Sequence, residues 1–164
     1  MFRHILLKGG RFVTGVAMKK FVNTLFDYLL YPVVLSWLGY IWGGVALTAL
    51  AFGLNLLIIR AYDWAKVDWF FIEDIKKIRD GEDIQLPGFL NWLKPILRKG
   101  DVAAFFVLCF DDPITATLYL RKGSHLYNGF SRREWHIFTA ANVVANLYWI
   151  LGWSVVLESV KRIY

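Results

Sequence analysis

Cysteine is nearly absent from this chain: Cys109 stands alone among 164 residues. That excludes an intrachain disulfide and any paired-thiol motif. Histidine is scarce too, and His4, His125 and His136 show no ligand spacing. There is no phosphate-cradling glycine loop, no HExxH pair and no nucleophile elbow, so no enzyme motif is present. The absence with the largest consequence is that of charge. No Asp, Glu, Lys or Arg occurs from Leu29 to Ile59, whereas about 20 apolar residues suffice to cross a bilayer.

What is present is apolar and aromatic. The chain is 57% hydrophobic and 18% aromatic, against about 45–50% apolar in ordinary soluble domains. That is too much for one small soluble core and points to a polytopic membrane protein. The formal charge of +6 sits beside the apolar segments. Arg3, Lys8, Arg11, Lys19 and Lys20 precede the first, and Arg60 and Lys66 follow the second. This placement fits the positive-inside rule and anionic headgroups better than nucleic acid. The expected location is therefore a bacterial-type inner (plasma) membrane with the N-terminus cytoplasmic. The expected partners are anionic membrane lipids and either further copies of the chain or a membrane complex, without nucleic acid or cofactor.

The fold class expected is an all-α polytopic integral membrane protein. Residues 1–164 form one membrane-embedded helical domain with a polar membrane-proximal segment, 61–101. A helical hairpin spans about 22–39 and 42–60, turning at "GYIWGG", with Pro32 kinking the first helix. Gly44, Thr48, Ala51 and Asn55 lie along one face of the second helix, where small and weakly polar residues let another helix approach. The stripe Trp64, Val67, Phe71, Ile75 and Ile78 extends that helix to about 80, where Gly81 would stop it, with a bend near "AYDWAKVDWF" deciding whether its last turns stand in water or lie at the interface. "FLNWLKPILRKG" then reads as an interfacial amphipathic helix over 88–99, with Lys94, Arg98 and Lys99 on its headgroup side.

"FVLCFDDPITATLY", Phe106 to Tyr119, holds the chief ambiguity. In a continuous lipid-exposed span over 102–120, Asp111 and Asp112 together cost about 5–7 kcal/mol. Some eight favourable residues return at most about 5 kcal/mol. Asp112 before Pro113 instead matches an N-cap followed by proline at the first helical position. The segment is therefore a broken or re-entrant pair of half-helices. Asp111 and Asp112 are the candidate ion or proton site, because intramembrane carboxylates are functional candidates by default.

"SRRE", Ser131 to Glu134, is a capping box that opens the final span, 135–158. Asn142 and Asn146 share a face of that span with Thr139 and Trp153, and together with Thr48 and Asn55 are expected to make helix–helix polar contacts. Arg121, Lys122, Arg132 and Arg133 are expected to hold lipid phosphates. The function this supports is a small non-enzymatic membrane protein that works by oligomeric or complex assembly. One alternative is an ion- or proton-conducting, transporting or pore-forming element using Asp111 and the Asn142/Asn146 face. A second is a membrane-embedded lipid-modifying enzyme with a divalent cation at Asp111 and Asp112.

Overall fold

The computed structural model describes residues 21–66, 68, 72–79, 95, 100–121 and 129–163. Every regular element among them is helical. The first helical run, Phe21–Ala65, is long and apolar enough to cross a membrane, as is the last, Arg132–Ile163. The first run is broken at Gly39, whose φ of 74° and ψ of 171° fall in a region that is essentially glycine-only. The stretch before Gly39 is α1 and the stretch from Tyr40 to Ala65 is α2. The later helices are α3 (Ile72–Arg79), α4 (Asp101–Asp111), α5 (Pro113–Leu120) and α6 (Arg132–Ile163).

Two compact units are present, one built from the chain up to Gly53 together with Asn146 onward, the other from Leu54–Ala145. In the first unit, Pro32 disturbs α1 in a specific way. It has no N–H for the carbonyl four residues back, and the turn before it widens into a π-helical stretch, Phe26–Leu30, closed by the Tyr31 N–H on the Phe26 carbonyl. The break at Gly39 brings the chain back on itself. A Cβ on Gly43 would stand 3.0 Å from the Val34 carbonyl oxygen and 3.2 Å from the Leu35 Cα, an approach that a straight helix of this spacing forbids. Gly44 does the same for α6, with Ile150 Cδ1 3.1 Å from its would-be Cβ.

In the second unit, a helix running on to about 80 does not form; this expectation is corrected. α2 ends at Ala65, Lys66 takes a positive φ of 51°, and α3 starts separately. The reason is Asp68, whose Oδ1 accepts from Ile72 N and whose Oδ2 accepts from Glu73 N, both at 3.0 Å. Tyr62 Oη donates to the same carboxylate at 2.9 Å. Apolar periodicity ran through this point, but a carboxylate that satisfies two free N–H groups of a new helix outweighs it. Of the expected interfacial helix 88–99, only Pro95 is among the described residues.

α4 and α5 contact each other, and α3 contacts α5. Their buried side chains join Ile75, Ala104, Leu108, Cys109, Ala116, Tyr119 and Leu120 with Ala141 of α6 in one cluster. α5 is buried from Ile114 through Leu120, so it is enclosed on every face by protein.

Candidate functional site

One residue separates α4 from α5. The Asp112 N–H closes α4 on the Leu108 carbonyl at 2.8 Å, and the Asp112 carbonyl opens α5 by accepting from Ala116 N at 3.2 Å. Its side chain is buried and accepts from Ile114 N at 2.9 Å, with Thr115 Oγ1 at 3.4 Å. Asp112 is thus the N-cap that its position before Pro113 implies. Asp111, the other half of the candidate ion or proton pair, is exposed at the end of α4. The break gives the two adjacent carboxylates opposite surroundings.

At the far end of α5 lies a cluster that local sequence patterns did not signal. Arg121 follows the last turn of α5 and is only 2% exposed. Its Nη1 donates to Asp63 Oδ1 at 2.6 Å and its Nη2 to Asp63 Oδ2 at 3.2 Å, a two-pronged ion pair. Its Nε lies 3.3 Å from Glu134 Oε1, an ion-pair distance rather than a directed hydrogen bond. The guanidinium also sits 5.4 Å from the centre of the Phe130 ring, which packs on Trp135 and Phe138. Three helix ends therefore meet in one buried ion triad: the last turn of α2, the end of α5 and the start of α6.

The helix dipoles agree with these charges. Arg121 is a cation at the C-terminus of α5, and Glu134 is an anion in the first turn of α6. Glu134 also completes the capping box, with Ser131 N donating to Oε2 at 2.6 Å and Glu134 N donating to Ser131 Oγ at 3.3 Å. Arg133 Nη1 donates to the Leu120 carbonyl at 3.1 Å, satisfying one of the free carbonyls at the end of α5.

Of the residues expected to hold lipid phosphates, Arg121 is buried, with its charge turned onto the carboxylates of Asp63 and Glu134. Arg132 and Arg133 are exposed; Lys94, Arg98, Lys99 and Lys122 lie outside the described residues. Asp63 carried no local signal, because its partners stand 58 and 71 positions later (121 − 63 and 134 − 63). The only hint for Arg121 was a cation placed directly after an apolar run.

The four helix-face polar residues fall into three arrangements. Asn55 Nδ2 donates to Asn142 Oδ1 at 2.7 Å, and Asn142 Nδ2 donates to the Phe138 carbonyl at 2.8 Å. Asn146 accepts instead from the Tyr31 hydroxyl of α1. Thr48 Oγ1 turns back onto its own helix, donating to the Gly44 carbonyl at 2.8 Å. Trp153 Nε1 donates to the Asp27 carbonyl at 2.7 Å, beside the widened turn that the π-helical stretch creates.

No known protein family, curated protein or solved structure matches the chain. Among the described residues no three His, Cys, Asp or Glu side chains come together in a metal-binding group. Cys109 is 1% exposed within the apolar cluster, a setting for an inert thiol. The chemistry this arrangement offers is cohesion: buried charges matched to each other and polar side chains matched across helices.

Proposed function

We propose that this chain is a small non-enzymatic polytopic membrane protein that acts by assembly in the bilayer, with itself or within a larger complex. The observation that carries this is the pairing of its two apolar helices with polar side chains spent on each other. In each long helix only 22% of the most apolar stretch is buried inside the protein. The central helix of a soluble domain would be mostly covered. The exposed apolar side chains include Val33, Val45, Leu50, Leu57, Leu147 and Leu151, more than a water-facing surface normally carries. Lipid tails satisfy such faces, and so does a second transmembrane helix.

Assembly is favoured over transport because Asn55, Asn142, Asn146 and Tyr31 are engaged in interhelical bonds, the usual glue of membrane bundles. Gly53 and Gly152 have nothing within 4 Å of a would-be Cβ, which leaves room for the backbone of a partner helix. The orientation with a cytoplasmic N-terminus in a bacterial-type plasma membrane rests on the basic residues beside the spans.

The segment 101–120 fits re-entry in this reading. α4 with 11 residues and α5 with 8 would measure about 16 and 12 Å, against a hydrocarbon core of about 30 Å. Asp63 at the end of α2, Arg121 at the end of α5 and Glu134 at the start of α6 share one ion cluster. This shared cluster supports a chain that leaves α2 and returns to α6 at the same depth.

The test is mass and flux together. In lipid nanodiscs the wild type is expected to be larger than one chain by light scattering; a monomer would defeat self-assembly. Liposomes holding the wild type or Asp111→Asn are expected to pass protons and cations no faster than empty ones. A flux lost on Asp111→Asn would replace assembly with conduction.

A further inference from the structure

The end of the first unit around Gly39 carries a second cluster that no sequence motif marks. Tyr40, one residue past the break, donates its hydroxyl to Glu158 Oε1 in the last turns of α6. Lys161 Nζ lies 3.1 Å from the same carboxylate oxygen and 3.3 Å from the Tyr40 hydroxyl, and 5.3 Å from the centre of the Tyr40 ring. The lysine remains 66% exposed. Beside Tyr40, Trp37 and Trp42 are 89% and 73% exposed, and Arg162 follows Lys161 on the surface.

These residue types are arranged as the boundary of a bilayer demands. Charged Glu158 and Lys161 cannot rest at hydrocarbon depth cheaply. Tryptophan and tyrosine favour the headgroup level, where the ring is half apolar and its polar edge meets water. Lysine and arginine reach out of the apolar zone along their stems. Two cations against one carboxylate leave this end positive, which complements a lipid phosphate.

We propose that this end is a docking surface for the anionic headgroups of one leaflet, engaged at once by the turn at Gly39 and by the last turn of α6. The proposal rests on the membrane reading and deepens it. It also fixes a relation that sequence could not. Tyr40 and Glu158 touch, so they lie at the same face of the membrane, and the chain between them crosses an even number of times.

The experiment uses nitroxide labels on Ile41→Cys or Ile163→Cys in the full chain, with Cys109 left in place because it is shielded and the unsubstituted chain serving as the labelling blank. The carriers are vesicles of phosphatidylcholine with one third phosphatidylglycerol. Relative relaxation by oxygen and by a water-soluble nickel chelate should place both labels at headgroup depth. A label at the bilayer centre, or one fully in water, overturns the proposal while flotation of the protein with the vesicles leaves the membrane reading standing. Failure of the wild type to float overturns both. Spin-labelled phosphatidylglycerol should be preferred over phosphatidylcholine around the wild type. The preference should fall in the Lys161→Gln, Arg162→Gln double variant, by at most about five-fold per residue. Both positions are exposed, so the fold survives the change, and an unaltered preference overturns the headgroup contact.

Discussion

Arg121→Met is the most discriminating perturbation of this protein. It keeps the length of the side chain and removes its charge, leaving Asp63 and Glu134 in one buried site. Arg121, Asp63 and Glu134 are 1%, 11% and 9% exposed in their side chains, so little solvent screens the result. Breaking a buried pair by removing one partner costs about 3–5 kcal/mol, whereas a surface ion pair contributes about 0–1 kcal/mol. The two cases are separable by titrating the detergent-solubilised protein with SDS and following helix content. A loss of about 3–5 kcal/mol is expected for Arg121→Met. The sign of the double variant is equally informative. Adding Asp63→Leu removes the carboxylate that the arginine had matched and leaves Glu134 as a cap favoured by the α6 dipole. The double variant should therefore be more stable than Arg121→Met alone. A single variant within about 1 kcal/mol of the wild type, or a double variant less stable than the single, would refute the desolvated triad.

Glycine substitutions should separate packed from open helix faces. Gly43→Ala drives a methyl group into the Val34 and Leu35 backbone and should cost about 1–3 kcal/mol in the same titration, while Gly53→Ala meets nothing within 4 Å inside its own chain and should add about 0.5–1 kcal/mol to the single chain through helix propensity while lowering the assembled mass in nanodiscs. A double-mutant cycle with Asn55→Leu and Asn142→Leu should return a coupling of about 0.6 kcal/mol, and not above about 1.7; zero coupling would show that the 2.7 Å contact contributes nothing. Asp112→Ala should destabilise α5 by about 0.5–2 kcal/mol, with Asp112→Asn retaining most of the cap; hydrogen exchange at the Ile114 amide reads this directly, and equal protection in both variants would remove the capping role.

The parts of this fold legible in sequence were those governed by neighbours. The break at Gly39 was expected within "GYIWGG", because only glycine tolerates that backbone and the surrounding charge-free run was too long for one helix. The Asp112–Pro113 start and the Ser131–Glu134 capping box follow from bonds that reach two or three residues, so the letters alone contain them. The all-helical class followed from apolar periodicity and long charge-free runs. What failed is equally specific. The helix carried on to about 80 ignored Asp68, because apolar periodicity does not report where a carboxylate will turn onto free amides. The basic and polar neighbours of Arg121 likewise give no sign that its charge turns onto Asp63 and Glu134.

The sequence by itself determined that this chain is helical, that two of its helices are long and apolar enough for a membrane, and where several of them start. Tertiary structure alone decided which charges meet. Asp63, Arg121 and Glu134 are far apart in the chain, and burial rewards their pairing only once three helix ends have arrived at one place. Local grammar works over one turn of helix; the electrostatics of a desolvated site works over distance in space, which the order of residues does not state.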